Sequence, residues 1–240
     1  MRDIRELCFI ERGTANHKKV LVEKLKAISA IVFDWDGTLL DSFWAGFNAF
    51  KKMFKQYGLD ITQECFQQHY SPDWHILYEK MGLRSSDWNE ADLLWSKYYA
   101  LEDCKLFDGA LDVVRHLYSA NYRIGILTGG YRKRVEKEVR QLGLKEFVSA
   151  IVFGDDTTFK KPNPRVLESV LEKLNVSSAG AMLVCDSVTD IRMGKTVGVS
   201  TIAIESGYST SEFLAREHPD VLLRNIKELE DLLCRFSAGN

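Results

Sequence analysis

The chain has 240 residues, 45% hydrophobic and 28% charged, with a net charge of −2. That length suits one α/β domain with an insertion, and the near-balanced charge gives no reason to expect nucleic acid or an anionic membrane as partner. Five cysteines, Cys8, Cys65, Cys104, Cys185 and Cys234, form no CxxC pair, which argues against a zinc site or disulfide scaffold and fits a reducing, cytoplasmic setting.

No apolar run approaches a membrane span, and Met1 to Glu11 lacks a secretory apolar stretch. Val20, Leu21, Leu25 and Ile28 fall roughly on one helical face among lysines, which predicts a short amphipathic helix before the first strand. Ile31-Val32-Phe33 reads as a strand buried on both faces. It ends in Asp34 and Asp36, spaced i and i+2, followed by a Gly37-Thr38 break. Carboxylates at the end of an apolar strand are costly unless a cation or proton compensates them, and ligands of α/β proteins sit at the C-terminal ends of parallel strands. The stretch therefore points to a carboxylate-based, metal-assisted site.

Phe43 to Ala100 holds no clear strand. It reads as helices over about Phe43–Tyr57, Gln63–Tyr70, Trp74–Met81 and Trp88–Leu101, with breaks at Gly58, Ser71-Pro72 and Gly82. Its aromatics, among them Trp44, Trp74, Trp88 and Trp95, read as the packing core of those helices. The alternative is that Phe43, Trp44 or Trp74 shapes a substrate pocket. From Phe107 onward strand and helix alternate: a helix to about Ala120, strand Arg123–Leu127, helix Tyr131–Leu142, strand Ala150–Phe153, a helix from Pro164 to about Leu174, strand Ala181–Val184, a short helix to Val197, strand Ser200–Ile204, an edge strand Val221–Leu223 and a final helix Ile226–Phe236. Such alternation implies a parallel sheet with right-handed crossovers. The run Arg132-Lys133-Arg134 reads as a solvated charged face and Asp155-Asp156 as a solvated turn. The five histidines show no ligand spacing.

Asp34-Trp35-Asp36-Gly37-Thr38-Leu39 resembles the first motif of the haloacid dehalogenase superfamily in its phosphatase form. Thr128, Lys161-Pro162 and Asp186-Ser187-x-x-Asp190 resemble the later motifs, in order and each beside a predicted strand or helix start. The resemblance implies a Rossmann-like parallel-sheet core over 1–42 and 102–240, with a helical cap of the subclass I kind inserted at 43–101. The extension over residues 1–27 departs from relatives that begin a few residues before the first strand, and reads as an extra packing helix.

The resemblance also implies roles. Asp34 is the nucleophile that forms an aspartyl-phosphate. Asp36 protonates the leaving alcohol and then activates water. Mg²⁺ is held by the side chains of Asp34 and Asp186 and the main-chain carbonyl of Asp36. Lys161 supplies positive charge beside Asp34. Thr128, Gly129 and the helix N-terminus at Tyr131 bind phosphoryl oxygens, and Asp190 supports Lys161 and the metal's waters from behind. Two departures stand out: Gly129 where the family often has Asn, and Cys185 where many members have Gly, a thiol that burial makes inert. The acid Asp36 disfavours haloacid hydrolysis, no cap lysine motif of phosphonatase type appears, and Asp41-Ser42 resembles the phosphoglycolate phosphatase group. The expected activity is hydrolysis of small phosphorylated metabolites. The alternatives are a β-phosphoglucomutase-like phosphotransferase and a regulatory or binding protein with weak activity.

Overall fold

The computed structural model describes residues 15–70, 73–156 and 158–237. Helix α1 (Ala15–Lys26) leads into strand β1 (Ala30–Phe33) and a two-residue strand β2 (Leu40–Asp41). Four helices follow, α2 (Phe43–Gln56), α3 (Gln63–His69), α4 (His75–Lys80) and α5 (Trp88–Tyr99), and the chain returns through β3 (Lys105–Leu106). The rest alternates: α6 (Ala110–Ser119), β4 (Arg123–Leu127), α7 (Arg132–Gln141), β5 (Ala150–Val152), α8 (Pro164–Leu174), β6 (Ala181–Cys185), α9 (Val188–Val197), β7 (Ser200–Ile204), α10 (Ser211–Arg216), β8 (Val221–Leu223) and α11 (Lys227–Ser237).

Six strands form one sheet in the order β5-β4-β1-β6-β7-β8, and every pairing is parallel. All residues of β1 and β6 are buried, because helices cover both faces, and this is why the strands are continuous apolar runs. One face packs Phe33, Ile126 and Val184 against α6, α7 and α11; the other packs Val32, Leu183 and Ala203 against α8 and α9. Each fully buried aliphatic or aromatic side chain contributes about 1.5–3 kcal/mol. The α8 stripe Val166, Leu167, Val170, Leu171 and Leu174 is buried, and the Asn163 side chain caps the helix by accepting the Arg165 N–H at 3.0 Å. The chain steps outward from β1 to β4 and β5, then crosses back to β6, β7 and β8. The reversal of strand order beside β1 opens a crevice at the strand ends.

The segment α2–α5 has its own cluster, in which Phe47, Phe50, Phe54, Phe66, Leu77 and Tyr78 pack together with Tyr208 from beyond β7. Its two connections pair antiparallel, Leu40 with Leu106 and Asp41 with Lys105, so the chain leaves and re-enters the sheet region at one point.

Several expectations need correction. β2, β3 and α10 are additional to the predicted elements, and strands of two residues show no alternation to read. Trp44 is 55% exposed rather than part of a packing core, and Val20 is 55% exposed while Leu25 and Ile28 are buried. Met1 to Glu11 and the Ser71-Pro72 break lie outside the described residues. Among the described residues no helix is long and apolar enough to cross a membrane.

Candidate active site

Asp34 follows β1 directly, Thr128 follows β4, and Asp186 follows β6. The Asp34 N–H donates to Val184 O at 2.9 Å and the Thr128 N–H to Val152 O at 3.0 Å, so both residues continue the sheet's ladder. Lys161 reaches in from the segment before α8, and Asp190 from the first turn of α9. After Asp34 the backbone turns tightly, with the Leu39 and Leu40 N–H groups both donating to Trp35 O. Gly37 has φ +83°, and a Cβ there would lie 2.1 Å from Asp186 Oδ2. Only glycine lets the turn approach that carboxylate.

The five side chains Asp34, Thr128, Lys161, Asp186 and Asp190 are buried polar groups lining one cavity, together with Asp36 and Gly129. Lys161 Nζ stands 2.6 Å from Asp34 Oδ1 and 2.8 Å from Asp190 Oδ2. Thr38 Oγ1 donates to Asp34 Oδ2 at 3.3 Å. Thr128 Oγ1 accepts the Gly130 N–H at 2.9 Å. Asp190 is not the cap of α9, since its own N–H is taken by the Ser187 hydroxyl at 3.1 Å. At α7 the first N–H, that of Arg132, donates to Asp155 Oδ1 at 2.8 Å. Asp155 therefore does local work, and Asp156, paired with Arg132 at 2.5 Å, is not a freely solvated turn residue.

Burial pushes the Asp34 carboxyl up to about 7; Lys161 opposes the rise, and the charges of Asp190 and Asp36 add to it. Burial, then the charge of Asp34, raises Asp186 well above the usual carboxylate range. For Lys161, burial works against the ammonium, but the Asp190 and Asp34 charges outweigh it and hold the group charged. Cys185 is fully buried and its thiol is pushed up by that burial, which fits an inert packing role.

One residue overturns the sequence reading. Arg134 is not on a solvated face: its side chain is 18% exposed, and it donates from Nη1 and Nη2 to Asp36 Oδ1 and Oδ2 at 2.9 and 2.5 Å. Glu138 backs it at 3.2 Å and also accepts from Trp35 Nε1 at 2.8 Å. The guanidinium lies 4.9 Å from the Tyr99 ring centre. The available signal was the i,i+4 pair Arg134/Glu138 beside the buried Val135/Val139 stripe. Ser206 was also missed; its hydroxyl donates to Asp186 Oδ2 at 2.6 Å. The Tyr70 and Tyr208 rings meet at the cavity with their centres 4.3 Å apart and their planes tilted by 38°, and Trp74 lines it as well. Phe43 and Trp44 are not among its lining residues.

Among the described residues no group of three or more His, Cys, Asp or Glu side chains is arranged to hold a metal. The donor set that does fit one is smaller. Asp34 and Asp186 end neighbouring strands, both are buried with raised carboxyls, and one oxygen of Asp190 beside them has no hydrogen-bond partner. Lys161 supplies one positive charge to this group, so a hard divalent cation that keeps several waters suits the residues.

A family model described as haloacid dehalogenase-like hydrolase matches residues 31–204. A phosphoglycolate phosphatase of Yersinia pestis is 29% identical over 216 residues, covering 86% of this chain and 93% of that protein. Pyrophosphatase PpaX of Oceanobacillus iheyensis is 26% identical over 208 residues, covering 85% and 95%. The solved structure of a haloacid dehalogenase-like family protein from Streptococcus pneumoniae superposes with a TM-score of 0.75 at 23% identity, covering 86% of this chain and 98% of that one. The cluster of strand-end carboxylates and lysine thus sits within a chain that belongs to the haloacid dehalogenase-like hydrolase family.

Proposed function

We propose that this hydrolase is a Mg²⁺-dependent phosphomonoesterase of small phosphorylated metabolites, similar to the phosphoglycolate phosphatases, and that it works through an aspartyl-phosphate on Asp34. The observation that carries the reading is the buried Asp34 carboxylate, 2.6 Å from Lys161 at the end of the central strand, with Asp186 ending the neighbouring strand.

Phosphoryl transfer needs positioning and charge cancellation more than covalent machinery. Asp34 attacks the phosphorus with its free lone pair, the ester bond breaks, and the leaving oxygen takes a proton from Asp36. Water, activated by Asp36, then splits the aspartyl-phosphate to release phosphate. Lys161 holds Asp34 in place and neutralises phosphoryl charge, and Asp190 fixes Lys161. Thr128 and the N–H groups after it donate hydrogen bonds to the phosphoryl oxygens. Mg²⁺, held by Asp34, Asp186 and the Asp36 carbonyl, supplies electrostatic stabilisation of the anions brought together. The helices over 43–101 form a cap over the leaving group, with Trp74 and Tyr70 facing it.

The test is a phosphate-release screen over a panel of phosphate monoesters, with Mg²⁺ and with EDTA. Release that EDTA abolishes, Mg²⁺ restores and Ca²⁺ inhibits supports the reading. Full activity in EDTA contradicts the metal assignment, and conversion of a hexose 1-phosphate to its 6-phosphate without net release points to a mutase.

A further inference from the structure

The cavity has two parts. Toward the sheet lie Asp34, Thr128, Lys161 and Asp186, all used in the proposed reaction. Toward the helices it is walled by aromatic rings, among them Tyr99 and Trp95, with one cation, Arg134. Lys161 already serves two carboxylates. Arg134 presents its fork into the cavity, with its guanidinium carbon 4.9 Å from the Tyr99 ring centre and Glu138 bracing it. Both ends of the fork hold the Asp36 carboxylate, at 2.9 and 2.5 Å. This is a bidentate carboxylate receptor with a carboxylate of the protein's own in it.

Asp36 cannot both fill that fork and serve the leaving oxygen. To reach an ester oxygen at hydrogen-bond distance it must let go of at least one Arg134 N–H. A largely buried guanidinium that loses a partner is left poorly compensated, so the release is favourable when another anion takes the place of Asp36. The phosphoryl group is held at the sheet side, which leaves the substrate's leaving part to supply that anion.

We infer that Arg134 is the specificity-determining residue of this site. It takes a carboxylate carried by the leaving group, and that exchange frees Asp36 for the ester oxygen. The assignment rests on the phosphatase reading above. Geometry limits the substrate class. Asp36 works about 3 Å from the ester oxygen, and Arg134 is one hydrogen bond beyond Asp36. The carboxylate therefore belongs to a short leaving group and lies close to the ester carbon, as in the phosphate ester of a short 2-hydroxy acid.

The experiment compares 2-phosphoglycolate with ethyl phosphate, of the same length and without the carboxylate, using the full chain with Mg²⁺. The wild type is expected to prefer phosphoglycolate in kcat/KM by about 10- to 100-fold, the range of a charged hydrogen-bonded contact. Arg134→Met is expected to bring the ratio to within about threefold of unity, and Arg134→Lys to fall between, keeping the charge without the fork. A role confined to structure lowers both substrates alike and leaves the ratio in place, which overturns the assignment. A preference for pyrophosphate over phosphoglycolate also overturns it, since a second phosphate then fills the fork. If Arg134→Met does not fold, the wild type decides alone: glycolate should inhibit p-nitrophenyl phosphate hydrolysis competitively where ethanol at equal concentration does not, and equal effects overturn the assignment. Turnover without carboxylate preference defeats this inference alone, whereas no turnover of any ester, p-nitrophenyl phosphate included, defeats the phosphatase reading with it.

Discussion

Lys161 Nζ lies 2.6 Å from Asp34 Oδ1, and both groups are buried at the end of the central strand. The same ammonium is 2.8 Å from Asp190, so one cation holds two largely buried carboxylates. Removing it as Lys161→Met leaves both uncompensated. Breaking a buried pair from one side costs about 3–5 kcal/mol. The expected outcome is a lower denaturant midpoint together with loss of turnover, read by urea unfolding and phosphate release. An unchanged midpoint contradicts the idea that this ion pair stabilises the fold.

The raised carboxyls predict how metal and pH interact. Burial lifts Asp34 to about 7 and raises Asp186 well above its usual range. A carboxyl raised in the folded state contributes stability that is full below its unfolded value near 3.8 and is lost as pH climbs through the folded value. Metal-free protein therefore carries a larger penalty from these groups at pH 8 than at pH 5. A cation bound by the ionised pair relieves that penalty. Saturating Mg²⁺, at about 100 times its Kd, adds about 2.7 kcal/mol, and thermal melts should show a larger Mg²⁺-induced rise in Tm at pH 8 than at pH 5. Equal rises at both pH values contradict the assignment of the site to these carboxylates.

Ser206 sits beyond β7 and donates to Asp186 Oδ2 at 2.6 Å. Partners that orient a metal-binding carboxylate are typically worth about 10- to 100-fold in metal affinity. Ser206→Ala should raise the Mg²⁺ concentration for half-maximal activity by that factor while leaving the melting temperature of the metal-free protein within a few degrees. No change in the Mg²⁺ requirement separates Ser206 from the metal's ligand set.

Gly37 is where the turn passes closest to Asp186. Gly37→Ala places a methyl group against Asp186 Oδ2 and the Tyr208 ring, at a left-handed φ of +83°. The conformational cost alone is about 1–2 kcal/mol. Kinetics and melts of this variant should show a loss of kcat much larger than the loss of stability, because the turn is displaced from the reacting groups while the sheet stays intact. An active Gly37→Ala protein contradicts the close approach seen here.

The residues that ended apolar strands were the readable ones. Asp34, Thr128 and Asp186 each follow a run with no polar interruption, so their place at the sheet's edge followed from the strands themselves, and parallel pairing brought them together. Lys161 and Asp190 followed from the resemblance of Lys161-Pro162 and Asp186-Ser187-x-x-Asp190 to the family's later motifs. Arg134 was hidden because it stands in a basic run on a polar helix, where charge alone looks solvated; beyond its i,i+4 neighbour Glu138, its partners Asp36 and Tyr99 come from tertiary position. Ser206, Tyr70 and Tyr208 come from separate parts of the chain that meet through packing, and no local period marks such a meeting. Trp44 had the composition of a core residue but lies on the outer side of α2, with its ring against Phe43 and Phe47 and the remainder exposed.

The central claim is that Asp34 receives the phosphoryl group while Asp36 serves as acid and base. Asp36→Asn keeps the nucleophile and removes the proton carrier, whose help is typically worth about 10²–10⁴-fold. With Mg²⁺ and p-nitrophenyl phosphate, whose phenolate leaves without protonation, the variant should give a burst of phenolate followed by slow turnover. Mass spectrometry of the quenched reaction should find a phosphoryl adduct on the peptide that contains Asp34. An adduct on any other residue, or an Asp34→Asn protein that still turns over, contradicts the account.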